Sequence, residues 1–327
     1  MTAAVGAVAP AALEDDFDLA RDADRVLDRL DLRVVADPGP TVADAEILIT
    51  GLTTQTAPGA EFAAAMPRLR WVHSLTAGVE DLVSEDLLRR GVVVTNGAGA
   101  YATAIAEYAF AAMVMLARSL PQLVIAHAEG GWVEEHPLGS ELAGKRVGIV
   151  GYGGIGRAVA GLCCAAGMSV WGLRRRPAAG DTAPAERVLA PEDLPRLLAE
   201  CEFIVLAASL NPSSRGLLGP AELEAIRPGA YLVNLSRGAL LDEAALASAL
   251  RSGHLAGAVI DVAVAEPLPA SSELWRVPNL LITPHMSGGS RESRDRAFDL
   301  LLANLGHYLT GHPEEMANVV DLQRELG

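Results

Sequence analysis

Cysteine is scarce. The 327 residues hold three, Cys163, Cys164 and Cys201, too few for a disulfide framework and without the spacing of a zinc site. A reducing cytoplasm is the compartment this usage predicts. Lysine is scarcer still: Lys145 is the only one, so nearly all positive charge is arginine, and Schiff-base chemistry would have to rest on that single amine. Positive charge as a whole is short, with 26 Lys and Arg against 41 Asp and Glu for a net −15. Such a surface repels phosphate backbones and anionic bilayers, so neither nucleic acid nor membrane is expected as a partner. The apolar residues from Met1 to Leu13 lack a basic flank and run into acids at Glu14, and no signal peptide is expected. Ile105 to Leu120, the most apolar helical stretch, is interrupted by Glu107 and Arg118 and falls short of a membrane span. His127, His136, His254, His307 and His312 show no ligand spacing, and no metal is expected.

What is present is ample apolar material, 50% of the chain, in a length that suits two domains. Short β-like runs alternate with helix-period segments. The runs are Leu32–Ala36, Ala45–Thr50, Leu69–Ser74 and Val92–Thr95, with helices expected near Leu13–Leu30, Gly59–Met66 and Glu80–Arg90. An Ala-rich helix from Ala102 to Ser119 follows, closed by Pro121. After a polar stretch a second alternation brings six more runs: Val147–Val150, Ser169–Leu173, Phe203–Ala207, Tyr231–Leu235, Ala258–Val262 and Leu280–Thr283. A last helix, Arg291 to Leu309, has no strand after it. The pattern predicts an α/β chain with two doubly wound parallel sheets.

Gly151-Tyr152-Gly153-Gly154-Ile155-Gly156 stands between an apolar run and a helical segment, Arg157–Ala166. There glycines let backbone approach a pyrophosphate, and the helix N-terminus offers free amides and positive dipole; Gly151, Gly153, Gly154, Ile155 and Gly156 are the predicted dinucleotide contacts. Upstream, Gly139, Gly144 and Lys145 imitate a P-loop, but Arg146 follows where Ser or Thr and a helix are needed. The strand after the glycine motif ends in Arg174-Arg175-Arg176. About twenty residues past the first glycine, NAD-binding folds carry an acid for the ribose 2′-hydroxyl. Guanidinium groups there suit a 2′-phosphate, which favours NADP over NAD; the competing account is a solvated basic turn.

Three further segments follow successive strands: Asn234-Leu235-Ser236-Arg237-Gly238, Asp261 through Pro267, and Thr283-Pro284-His285. All lie at carboxyl ends of one sheet, where open α/β folds place ligands. Arg237, Glu266 and His285 together supply a carboxylate binder, a pKa modulator and a proton carrier. Singly, an ion pair or a loop cap would explain each as well.

With these stretches, and with Ala77-Gly78-Val79-Glu80, Ala106-Glu107, Leu274-Trp275 and Pro278-Asn279, the sequence resembles the D-isomer-specific 2-hydroxyacid dehydrogenases. The glyoxylate/hydroxypyruvate reductase branch is favoured by Arg174, Trp71-Val72-His73-Ser74 and Gly99-Ala100-Tyr101. The resemblance implies a Rossmann NADP-binding domain, 100–289, inserted in a discontinuous flavodoxin-like substrate domain, 1–99 with 290–327, a cleft between them, and a homodimer formed through the 100–140 region. It implies that Arg237 binds the substrate carboxylate and polarises the keto oxygen, that His285 is the acid/base and that Glu266 is its partner. It further implies substrate amides from Ala77 and Gly78, Asp261 on the nicotinamide carboxamide, and Ser287 among the cofactor contacts. A carboxylate beside histidine favours the imidazolium and orients the ring. The expected activity is reduction of a small 2-ketoacid. Two alternatives share the fold: oxidation of formate or a phosphorus oxyanion, against which Glu266 stands where formate-oxidising relatives have Gln, and a dinucleotide-sensing binding protein. Between Asp261 and Glu266 the sequence Val-Ala-Val-Ala departs from the aromatic and acidic residues common in relatives.

Overall fold

The computed structural model describes residues 3–7, 30–34, 42–51, 59–80, 82–134, 139–177, 180 and 182–326. Among them, β1 (Ala3–Ala7), β2 (Leu30–Val34), β3 (Ile47–Thr50), β4 (Trp71–Ser74) and β5 (Val93–Asn96) form one sheet ordered β2-β1-β3-β4-β5. All its neighbours are parallel, and the order is that of flavodoxin-like sheets. The second sheet contains β6 (Arg146–Val150), β7 (Ser169–Leu173), β8 (Arg187–Leu189), β9 (Phe203–Leu206), β10 (Ala230–Asn234), β11 (Leu255–Ile260) and β12 (Leu280–Ile282). Its order, β12-β11-β10-β9-β6-β7-β8, is the dinucleotide-binding order with one strand added at the β12 edge. Parallel strands are covered on both faces and so read as unbroken apolar runs; β4 and β9 are buried along their whole length.

The chain divides into two compact units, Met1–Tyr101 with Ser290–Gly327, and Ala102–Gly289. In the first, the helix Arg291–Thr310 starts at a Ser290–Ser293 capping box and stops at Gly311, φ 85°. Its buried face, Ala297, Phe298, Leu301 and Leu305, packs with Ile47, Ile49 and Trp71. Leu48, Val72 and Val94 pack on the opposite side with Phe62 and Leu87. His73 is wholly buried. The Thr95 hydroxyl accepts from Trp71 Nε1 at 2.8 Å and lies 2.8 Å from His73 Nδ1. The same hydroxyl lies 3.5 Å from Val72 O, and His73 Nε2 has no partner among the described residues. Burial lowers the ring's pKa to about 4.

Several elements differ from expectation. β1 and β8 were not foreseen: Ala-Ala-Val-Gly-Ala has weak strand preference, and β8 has three residues with Arg187 exposed. Of the helix expected over Leu13–Leu30, residues 13–29 lie outside the described set and Leu30 opens β2 instead. Val35 and Ala36 of the expected strand Leu32–Ala36, and His136, also lie outside it. Pro121 does not simply close a helix. Ala102–Ala117 ends first, Ser119 turns at φ 52°, and Pro121 sits in the first turn of a new helix, Leu120–Ala128, where its missing N–H costs nothing. Among the described residues no single helix is long and apolar enough to cross a bilayer; this pair, bent by 73°, passes by length and composition only.

Candidate active site

At the end of β6 the chain turns at Gly151, φ 106°, where a Cβ would stand 2.3 Å from Ala208 N. A Cβ on Gly156 would meet Gly151 O at 2.3 Å, whereas above Gly153 and Gly154 there is open space. Gly151 and Tyr152 both donate to Leu173 O at 2.9 Å, tying the turn to β7. Gly153 is the N-cap of the helix Gly154–Ala165, which has no side-chain cap and no acid in its first turn. Uncapped amides, open space and positive dipole fit a pyrophosphate. Ile155 lies half-buried in that first turn, Arg174 is half-buried directly after β7, and Arg175 and Arg176 are exposed.

Three loops follow β10, β11 and β12. Asn234, wholly buried, accepts from Ser236 N at 3.1 Å and donates to Arg237 O at 3.2 Å, so it shapes the first loop. Arg237, half-buried, donates through Nη1 to Ser236 O at 2.8 Å. A Cβ on Gly238 would lie 2.0 Å from the Ala263 carbonyl carbon, and this bare backbone contact joins the first loop to the second. In the second loop Glu266 Oε1 accepts from Ala263 N at 2.9 Å, and Glu243 Oε1 accepts from Val264 N at 2.7 Å.

Buried Asp261 organises the third loop. Oδ1 accepts from the Thr283 hydroxyl at 2.6 Å and from Met286 N at 2.9 Å, Oδ2 from Ser287 N at 2.8 Å, and the Asp261 carbonyl from His285 N at 2.7 Å. These bonds hold His285 at φ 53°, a left-handed conformation that disfavours side chains. His285 Nδ1 then lies 2.7 Å from Glu266 Oε2. Burial raises the Glu266 pKa, but hydrogen bonds from His285 and Ala263 and the nearby His285 and Arg237 charges outweigh it, leaving a net fall below the usual carboxylate value. An ionised Glu266 is an acceptor only, so the Nδ1 hydrogen faces it and Nε2 is left to exchange a proton elsewhere.

Ala77 and Gly78 lie in the other unit, in the turn after β4. Their amides, and that of Val79, have no acceptor among the described residues. Cys163 and Cys201 are buried, and burial pushes both thiols up to about 12. Asn234 and Gly238 stand inside the stretch singled out after β10 but were given no role there, and Glu243 was missed.

The model of the family described as D-isomer specific 2-hydroxyacid dehydrogenase, NAD binding domain, matches residues 110–287. The glyoxylate reductase of Thermococcus litoralis is 32% identical over 287 residues, 85% of this chain and 85% of that protein. A D-isomer specific 2-hydroxyacid dehydrogenase from Xanthobacter autotrophicus, solved with NADPH and MES, is 30% identical with a TM-score of 0.78 over 99% of both chains. A glyoxylate reductase structure from Paecilomyes thermophila is 26% identical with a TM-score of 0.86 over 98% of this chain and 99% of that one.

Proposed function

The chain belongs to the D-isomer-specific 2-hydroxyacid dehydrogenase family, and from that premise we propose an NADPH-preferring reductase of small 2-ketoacids, glyoxylate or hydroxypyruvate foremost. The coarse activity is that of the family: an oxidoreductase using a nicotinamide dinucleotide on a small 2-ketoacid or 2-hydroxyacid. The observation that supports the assignment of roles is the 2.7 Å contact between His285 Nδ1 and Glu266 Oε2, with the Arg237 charge acting on the same carboxylate.

A nicotinamide dinucleotide held there would supply the hydride for the keto carbon. His285 Nε2 gives the proton to the keto oxygen, and Glu266, facing Nδ1, fixes the ring. Arg237 binds the carboxylate and stabilises the negative charge that grows on the oxygen. In the oxidative direction neutral His285 takes the proton back. The glycine turn would hold the pyrophosphate, with Gly153, Gly154 and Ile155 toward it and with Gly151 and Gly156 packed on backbone so that the turn can form. Arg174, aided by Arg175 and Arg176, would take the 2′-phosphate. Asp261 has capacity left on Oδ2 for the nicotinamide carboxamide, and Ser287 borders it. The Ala77 and Gly78 amides are assigned to the substrate carboxylate. A homodimer formed through the 100–140 region accounts for the helix Leu120–Ala128, which buries none of its residues within the chain.

A panel of 2-ketoacids assayed with NADPH and with NADH, followed by absorbance, tests this function. Turnover of glyoxylate or hydroxypyruvate is expected; no turnover of any member with either cofactor would overturn it.

A further inference from the structure

Four consecutive carbonyls in the turn after β4 are bonded within the first unit. Tyr101 donates its hydroxyl to Leu75 O at 2.6 Å and Gly97 its amide to Thr76 O at 2.9 Å. Asn96 Nδ2 donates to Ala77 O at 2.8 Å, and the Thr76 hydroxyl donates to Gly78 O at 3.0 Å. In a trans peptide the C=O and the following N–H point in opposite directions. Fixing the carbonyls of residues 76, 77 and 78 therefore aims the amides of Ala77, Gly78 and Val79 away from those partners, and these three have no acceptor among the described residues. A row of aimed, unpaired amides is an anion site.

We propose that Asn96 is a positioning residue for the substrate carboxylate, aiming the Gly78 amide by holding the Ala77 carbonyl, and that Tyr101 anchors the base of the same turn at Leu75. The proposal rests on the ketoacid function above. Asn96 is itself held: its Oδ1 accepts from Ala98 N at 3.1 Å, and its carbonyl accepts from Asn318 Nδ2 at 3.2 Å. The approach requires glycine at 97, because a Cβ there would fall 2.3 Å from Leu75 O. Burial raises the Tyr101 pKa, which keeps its hydroxyl a donor. Neither side chain need touch substrate. Asn96 sets the direction of a backbone dipole that does, and Tyr101 fixes the base of the turn that carries it.

The test compares wild type, Asn96→Ala and Tyr101→Phe with pyruvate and with methyl pyruvate, at saturating NADPH, alongside melting temperature and NADPH affinity. Loss of one neutral hydrogen bond at the turn should raise KM for the acid about three- to tenfold in each variant, with kcat changed less than about twofold. The uncharged ester, which gives the amides no anion, should lose far less, and NADPH affinity should hold. Equal losses for acid and ester, an unchanged KM for the acid, or failure of both variants to fold would overturn the positioning role. Those outcomes leave the functional assignment intact so long as wild type reduces ketoacids; absence of any wild-type turnover would overturn both.

Discussion

His285 and Glu266 make the sharpest expectations at the scale of single residues. His285→Ala should lose about 10²–10⁴ in kcat while dinucleotide affinity is unchanged, read from steady-state kinetics and a binding titration. Glu266→Gln keeps the shape but removes the ionised acceptor that faces Nδ1 at 2.7 Å and should lower kcat with dinucleotide affinity unchanged; an unchanged kcat under conditions where chemistry limits the rate would separate the two residues. His73 gives a stability expectation of definite sign. Its folded pKa, about 4, lies below the ordinary value, so below about pH 6.5 the unfolded chain takes up a proton that the folded one refuses. Stability should be full above that pH, fall by on the order of 3 kcal/mol down to about pH 4, and lose no more to this group below it. Melting curves of wild type and His73→Gln across that range would check it, the variant showing the flatter acid limb. Arg237, Glu266 and His285 were legible because chemically capable side chains followed strands. Asn234 and Glu243 were not, since they act by binding backbone amides and carbonyls of loops, which no spacing announces.

Elements were legible where apolar runs were long. The runs over β6, β7, β9 and β10 each gave a strand within a residue, and that over β11 within three, because parallel strands buried on both faces carry mostly apolar residues. β1 and β8 escaped for the opposite reason, being small-residued or three residues long. The end of β7 carries the cofactor expectation. If Arg174 meets a 2′-phosphate, NADPH should be preferred about ten- to a hundredfold in kcat/KM, and Arg174→Asp should erase that preference. Equal use of both cofactors by wild type would count against it. Between the loops after β10 and β11, Gly238→Ala should drive the Arg237 and Glu266 loops apart, since the added carbon has only 2.0 Å from the Ala263 carbonyl carbon. A displacement of that size should lower kcat/KM about a hundredfold with NADPH binding retained.

For the whole molecule, the alternation of strands and helices announced two doubly wound sheets, and strand order then distinguished the flavodoxin-like one from the dinucleotide-binding one. Val124 and Ile125 are 64% and 60% exposed on a helix with no buried face, and Trp132 nearby is 90% exposed. These exposed apolar side chains are where the proposed dimer would bury surface. Light scattering should give twice the chain mass for wild type and the single mass for Val124→Asp/Ile125→Asp; a wild-type monomer would remove the dimer. The first unit is also made in two instalments. Its sheet strands leave the ribosome early, yet Phe298, Leu301 and Leu305, which cover Ile47, Ile49 and Trp71, emerge only after all of residues 102–289. Synthesis thus delivers the second unit whole while the first still shows a bare apolar face. In the living cell it is the older sheet that must wait, and a nascent chain stalled near residue 289 would offer that face to any chaperone in reach.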